Sequence, residues 1–144
     1  DMDGLTDEEE KTLGSNPNDA DTDDDGVIDG QEKNPALDTD GDGKNSVLDA
    51  DSDNDKLWDG TELGKDCSNA ATNAAAMTCV PDADKGATTT SPLDPDTDDG
   101  GVTDGAEDKN KDGKIDAGEG DPNDPRDDKD FVVDSDNDKL SADM

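Results

Sequence analysis

At 144 residues the chain is long enough for one domain, but only 25% of it is apolar and its aromatics are Trp58 and Phe131 alone, which excludes a conventional hydrophobic core. Forty-four Asp and Glu against twelve Lys and Arg leave a net charge of −32, so any compact state must recruit cations, and a phosphate backbone, which needs a basic face, is excluded as a partner. No apolar run reaches the roughly 20 residues needed to span a membrane as a helix.

The chain opens with Asp1, Asp3, Gly4, Asp7 and Glu10, which have the spacing of positions 3, 5, 6, 9 and 12 of a twelve-residue acidic loop. Thr6 to Glu9 reads as a capping box and Gly14 as a stop, which predicts a helix of about two turns over Thr6–Leu13. A full loop follows, with Asp21, Asp23, Asp25, Asp29 and Glu32 at positions 1, 3, 5, 9 and 12 and Gly26 at position 6. Asp38, Asp40, Asp42 and Asp49 repeat that spacing with Ser46 at position 9, and Asp51, Asp53, Asp55, Asp59 and Glu62 repeat it in full. Single helical turns are expected at Gly60–Leu63 and Gly105–Glu107. Between them lies a stretch poor in charge, flanked by Cys67 and Cys79. With no histidine in the chain, two cysteines make a poor zinc site, so a disulfide and a tethered surface excursion are expected there.

Beyond it, Asp96, Asp98, Asp104 and Glu107 keep the loop spacing with Gly100 at position 5, and Asp108, Asn110, Asp112, Asp116 and Glu119 keep it with Gly113 at position 6. Asp134, Asp136 and Asp138 are the early ligand positions of one more copy. The organisation is therefore loop repeats over 1–64, an insertion over 65–92, and further loop repeats over 93–144.

The spacing suits calcium. The ion takes six to eight hard oxygens, and alternate side chains of a tight loop converge on one centre. Position 6 favours glycine because the chain turns sharply there, with φ > 0. Position 7 offers its carbonyl, leaving its side chain free to be apolar; Leu5, Val27, Leu57, Val102 and Leu140 sit there. A solvated acidic tail has no need of such residues. The candidates that rank first on spacing are Asp21–Glu32, Asp51–Glu62 and Asp108–Glu119.

The stretch from Asp3 to Asp19, with its Gly-Ser-Asn-Pro joint, resembles a bacterial thrombospondin type 3 repeat. Asn16–Asp19, Ser91–Asp94 and Asp121–Asp124 resemble the joints of that family, and the likeness covers nearly everything outside about 65–90. It implies an irregular, mostly coil chain wound around several calcium ions, with ligands shared between neighbouring loops; Glu107–Asp108 and Asp49–Asp51 suit such sharing. Two ions per loop would bring roughly +28 against the −32 of the chain. Some positions depart from the pattern: Lys56 and Lys139 replace the loop glycine, Ala142 takes position 9 of the last copy, and Gly100 removes a ligand although Asp99 stands beside it.

These features point to an extracellular or cell-surface protein, bacterial by its resemblance, that acts as a calcium-stiffened stalk, spacer or filament subunit. No enzyme is expected, since general acids need burial and the nucleophilic arrangements are absent. A dockerin-like binding module would need two loops each followed by an amphipathic helix of about ten residues. An acidic matrix or calcium-storage protein would need no regular spacing. The two ends read either as parts of a longer chain with neighbouring domains or as joints for head-to-tail assembly, with Asp134, Asp136 and Asp138 of one copy meeting Asp3, Asp7 and Glu10 of the next.

Overall fold

The structure, a computed structural model, describes residues 2–128; Asp1, Asp134, Asp136 and Asp138 lie outside the described residues. Within that span the chain is mostly coil, with three short α-helices, three single 3-10 turns and no strand. Helix α1 is Asp7–Leu13. Its start is the expected capping box: Thr6 Oγ1 accepts from the Glu9 amide at 3.3 Å, and Glu9 Oε2 accepts from the Thr6 amide at 2.9 Å. Gly14 ends it in the left-handed region, at φ 92°. The only residue that α1 buries is Glu10, so the helix turns a carboxylate inward rather than an apolar face.

Helices α2, Asp59–Glu62, and α3, Asp104–Glu107, are one turn each and begin one residue earlier than the sequence suggests. The 3-10 turn Asp29–Gln31 is their counterpart in the preceding loop. All three occupy loop positions 9 to 12 or their start, and a helical turn brings positions 9 and 12 to one side. Each of these loops is closed by the amide of position 9 donating to the carbonyl just before position 1. The bonds run from Asp29 to Ala20, Asp59 to Ala50 and Asp104 to Pro95 at 2.8–2.9 Å, and from Ser46 to Leu37 at 2.9 Å in the loop between. Lys56, standing where a loop glycine is usual, takes the left-handed conformation at φ 84°.

The interior is ionic. Among the described residues the buried apolar side chains are Val27, Val47, Ala50, Leu57 and Val102, whereas fifteen Asp and Glu are buried. Three of the five, Val27, Leu57 and Val102, are position-7 residues.

The disulfide joins Cys67 to Cys79, with a Cα separation of 6.0 Å. The excursion it tethers is exposed at its tip, Asn73–Met77, but docks at its base on the loop at 21–26. Thr78 Oγ1 donates to the carbonyls of Asp23 and Asp24 at 2.8 and 3.1 Å, the Asn73 amide donates to Asp24 Oδ1 at 2.7 Å, and Thr72 donates to Asp21. A Cβ on Gly26 would lie 2.9 Å from Cys79 Sγ, so the disulfide sits directly on the loop's turn. Further along, the amide of Ala83 donates to the carbonyl of Asp112 at 2.7 Å, which fastens the insertion to the 108–119 loop as well.

Candidate metal centres

One hydrogen-bond pattern recurs through the loops. The position-1 carboxylate accepts the amide of position 6, which is Gly26, Gly43, Lys56, Gly101 or Gly113, at 2.7–3.2 Å. Position 3 accepts the amide of position 5, and position 5 accepts that of position 7, as Asp25 does from Val27 at 2.7 Å and Asp55 from Leu57 at 2.8 Å. Asp29, Asp59 and Asp104 at position 9 accept the amides of Thr22, Ser52 and Thr97 at 2.7–2.9 Å. These bonds fix the side chains and occupy one or both oxygens of each, as the amides of Leu57 and Gly105 do at Asp55.

Several buried carboxylate oxygens have no such partner. Asp21 Oδ1, the Oδ2 atoms of Asp23, Asp25, Asp53 and Asp98, Glu32 Oε1, Glu62 Oε2, and both carboxylate oxygens of Glu10 and Glu107 are buried without a hydrogen bond. An unpaired buried carboxylate costs several kcal/mol, and here many face one another. Asp21, Asp23 and Asp25 bring oxygens within 4.8 Å of each other, as do Asp51, Asp53 and Asp55, and Asp38, Asp40 and Asp42. A second kind of cluster bridges loops: Asp3 and Glu10 meet Asp29, and Asp55 and Glu62 meet Asp104, again within 4.8 Å. In both, positions 5 and 12 of one loop join position 9 of a later one. These two clusters join stacked loops.

The stacking depends on glycine at position 10. A Cβ on Gly30, Gly60 or Gly105 would come 2.0–2.2 Å from the carbonyl oxygen of Asp3, Asp25 or Asp55, the position-5 residue of the preceding loop. Only a bare Cα allows that approach. The loops at 38–49 and 108–119 carry Val47 and Ala117 at position 10 and are built differently. Asp38, Asp40 and Asp42 are exposed. In the other, Glu119 accepts the amides of Asn110 and Asp116 at 3.2 and 2.8 Å, and Asp116 pairs with Lys114 at 3.2 Å and accepts from Asn110 Nδ2, while Asp108 and Asp112 accept amides of their own loop. Asp7 and Asp99 are also exposed, so Asp99 does not stand in for the ligand that Gly100 removes. Asp49 is buried and accepts the Asp51 amide.

Electrostatics follow burial. Desolvation, then the neighbouring Asp55, Asp51 and Asp59, pushes Asp53 up to about 9. Burial likewise raises Glu107 to about 8, Asp59 to about 7, and Asp55 and Asp104 to about 6, and it raises Asp23, Asp25, Glu10, Glu32 and Glu62 as well. Asp116, held by Asn110 and Lys114, is lowered instead. Because the folded groups bind protons more tightly than an unfolded chain near 4, acid should favour the metal-free compact form, and that contribution should be lost as pH rises through about 6 to 9. In EDTA, X-ray scattering should therefore show a smaller particle at pH 4 than at pH 9. Binding of calcium near neutral pH should release protons, which calorimetry in buffers of different ionisation heat detects.

The donor set fits calcium: all oxygen, anionic, and converging to the ~5 Å separations that 2.3–2.6 Å bonds to one ion impose. A family model, the bacterial TSP3 repeat, matches residues 1–20. Neither a curated protein nor a solved structure gives a match to the chain. The geometry of the matched TSP3 segment recurs further on. At its joint the Asn16 amide donates to Thr22 Oγ1 at 3.1 Å and the Asp19 amide to the Asn16 carbonyl at 2.9 Å. Ser91 with Thr97 and Asp94 reproduces both bonds at 3.0 Å, and Asp121 with Asp127 and Asp124 at 3.0 and 2.8 Å. TSP3 repeats are calcium-binding, and these clusters are where this chain can hold metal ions. Sequence spacing identifies the carboxylates that converge within the loops at 21–25, 38–42 and 51–55; the signal for the bridging clusters, an Asp-Gly pair at positions 9 and 10, is present only in the stacked loops.

Proposed function

We propose that the chain is an extracellular calcium-binding structural element, a stalk or spacer whose stiffness comes from ions clamped between successive loops. The observation that supports this most strongly is the set of bridging clusters, above all Asp55 and Glu62 with Asp104, buried and held in place by backbone bonds. An ion there ties two stretches of chain more than forty residues apart in sequence, so its effect is mechanical. In this reading the raised carboxyl groups are ligands rather than acids or bases of a reaction. The one-turn length of α2 and α3 favours a spacer over a paired-helix binding module. The disulfide and the TSP3 match are compatible with a location outside the cytosol, where calcium is millimolar and disulfides persist. No helix among the described residues is long and apolar enough to cross a membrane. Dyes placed at the exposed residues 2 and 117 of the full chain test the role by single-molecule energy transfer. Saturating calcium should give one narrow distance distribution, and EDTA a broad one; a broad distribution in saturating calcium rules out a stiff spacer.

A further inference from the structure

The loop at 96–107 lacks a carboxylate at position 5, where Asp3, Asp25 and Asp55 stand in the other stacked loops. Those three accept the amide of their own position 7, from Leu5, Val27 and Leu57 at 2.7–2.8 Å. Here the position-7 amide, that of Val102, donates instead to Asp128 Oδ2 at 2.9 Å, from 26 residues downstream. A Cβ built on Gly100 would lie 2.3 Å from Asp128 Cγ and 2.3 and 2.6 Å from its two oxygens. The carboxyl group of Asp128 thus fills the place a position-5 side chain would take, and Gly100 is bare to admit it.

What surrounds Asp128 points to a ligand. Its side chain is 1% exposed and Oδ1 is buried without a hydrogen bond. Glu107 at position 12 is 0% exposed with neither oxygen bonded, and Asp98 Oδ2 at position 3 is buried and unbonded too. After burial, the charges of Asp128 and then Asp98 raise Glu107 most. The segment that delivers Asp128 is a loop start converted to another use. Its joint, Asp121–Asp124, is built like the earlier ones, and the Arg126 amide donates to Asp124 Oδ1 at 3.1 Å just as the Asp21 and Asp96 amides donate to Asp19 and Asp94. Arg126 therefore holds position 1, where a carboxylate would otherwise begin a site, and its guanidinium binds Asp124 at 2.6 and 2.7 Å. Asp128, at position 3 of this start, turns back into the preceding stacked loop.

We propose that Asp128 is a calcium ligand supplied in place of the missing position-5 side chain, completing a site with Asp98 and Glu107 and stapling residues 121–128 to the loop at 96–107. The inference rests on the calcium-binding reading above. The test counts ions on the full chain by native mass spectrometry and measures calcium affinity by calorimetry, with calcium alone as the probe. Asp128→Ala should lose one ion or weaken one site by about tenfold or more, and proteolysis in calcium should then cut within 121–128 while α1 stays protected. The double variant Gly100→Asp with Asp128→Gly, which restores the ordinary position-5 arrangement, should recover the lost ion; Gly100 has no left-handed φ to forbid a side chain. Unchanged stoichiometry and affinity in Asp128→Ala, or a loss that the double variant does not recover, overturns the ligand assignment while leaving the calcium reading intact. An unaltered chain that binds no calcium overturns both.

Discussion

In EDTA at neutral pH the chain should expand towards a radius of gyration of about 40 Å, the value for an unfolded chain of this length. The cause is the ratio of buried groups: fifteen carboxylates against five apolar side chains among the described residues. Five small apolar residues cannot order so long a chain, because each ordered residue loses roughly 1–2 kcal/mol of backbone entropy. The buried carboxylates oppose compaction once the ions are gone, since two of them 4 Å apart repel by about 4 kcal/mol at an effective dielectric near 20. Metal-site free energy is then folding free energy. Scattering and limited proteolysis before and after chelation measure it. The disulfide should survive chelation and hold only the 67–79 loop, so the amides of α1 and of Asp29, Asp59 and Asp104 should all lose protection against hydrogen exchange together. A particle of unchanged size with unchanged protection in EDTA would mean that something other than metal holds the fold.

How much of this was legible in the sequence depends on whether the signal is local. The capping box at Thr6 and Glu9, the stop at Gly14, the acidic spacing and the apolar position-7 residues act within a few residues of one another, and each is found where the spacing places it. The disulfide between Cys67 and Cys79 is local in the same sense. What spacing cannot convey is which loops touch. By ligand order Asp108–Glu119 ranks with Asp21–Glu32, yet its Glu119 and Asp116 are taken up by bonds within their own loop, and Ala117 stands where the stacked loops need glycine. Asp99 looks like the replacement for the ligand absent at Gly100 because it is adjacent in sequence; it is exposed with φ 61°, and the group that fills the place is Asp128. Likewise the insertion reads as a surface excursion because it is poor in charge, while its threonines bind the backbone and carboxylate of the loop at 21–26. The last two are contacts between residues far apart in the chain, which loop spacing does not carry.

The same distinction gives the second large effect. Glu62 and Glu119 both hold position 12, and isosteric Gln at the two should behave differently. Glu62 is 1% exposed in the cluster with Asp55 and Asp104, and it accepts from Thr90 Oγ1 at 2.8 Å, a bond that the amide oxygen of Gln can keep. Glu62→Gln therefore preserves shape and that hydrogen bond but removes a negative charge from the cluster that bridges two loops. Losing one partner of a buried charge cluster costs about 3–5 kcal/mol, which corresponds to a fall of the calcium-saturated melting temperature by about 10 °C for a chain of this size. Glu119 bonds amides of its own loop at the surface, so Glu119→Gln should stay within about 1 kcal/mol of the parent. The sign without metal makes the test specific. Burial, then Asp53 and Asp55, pushes Glu62 well above the usual carboxylate range, so in EDTA the native charge opposes folding. Removing it should make the metal-free chain easier to compact near neutral pH, even as it weakens the calcium-bound form. Melting and scattering of both variants, each with calcium and with EDTA, read the two signs directly. A Glu62→Gln chain that is destabilised equally in both conditions would place Glu62 among the packing residues; opposite signs can arise only if its charge is there to meet a cation.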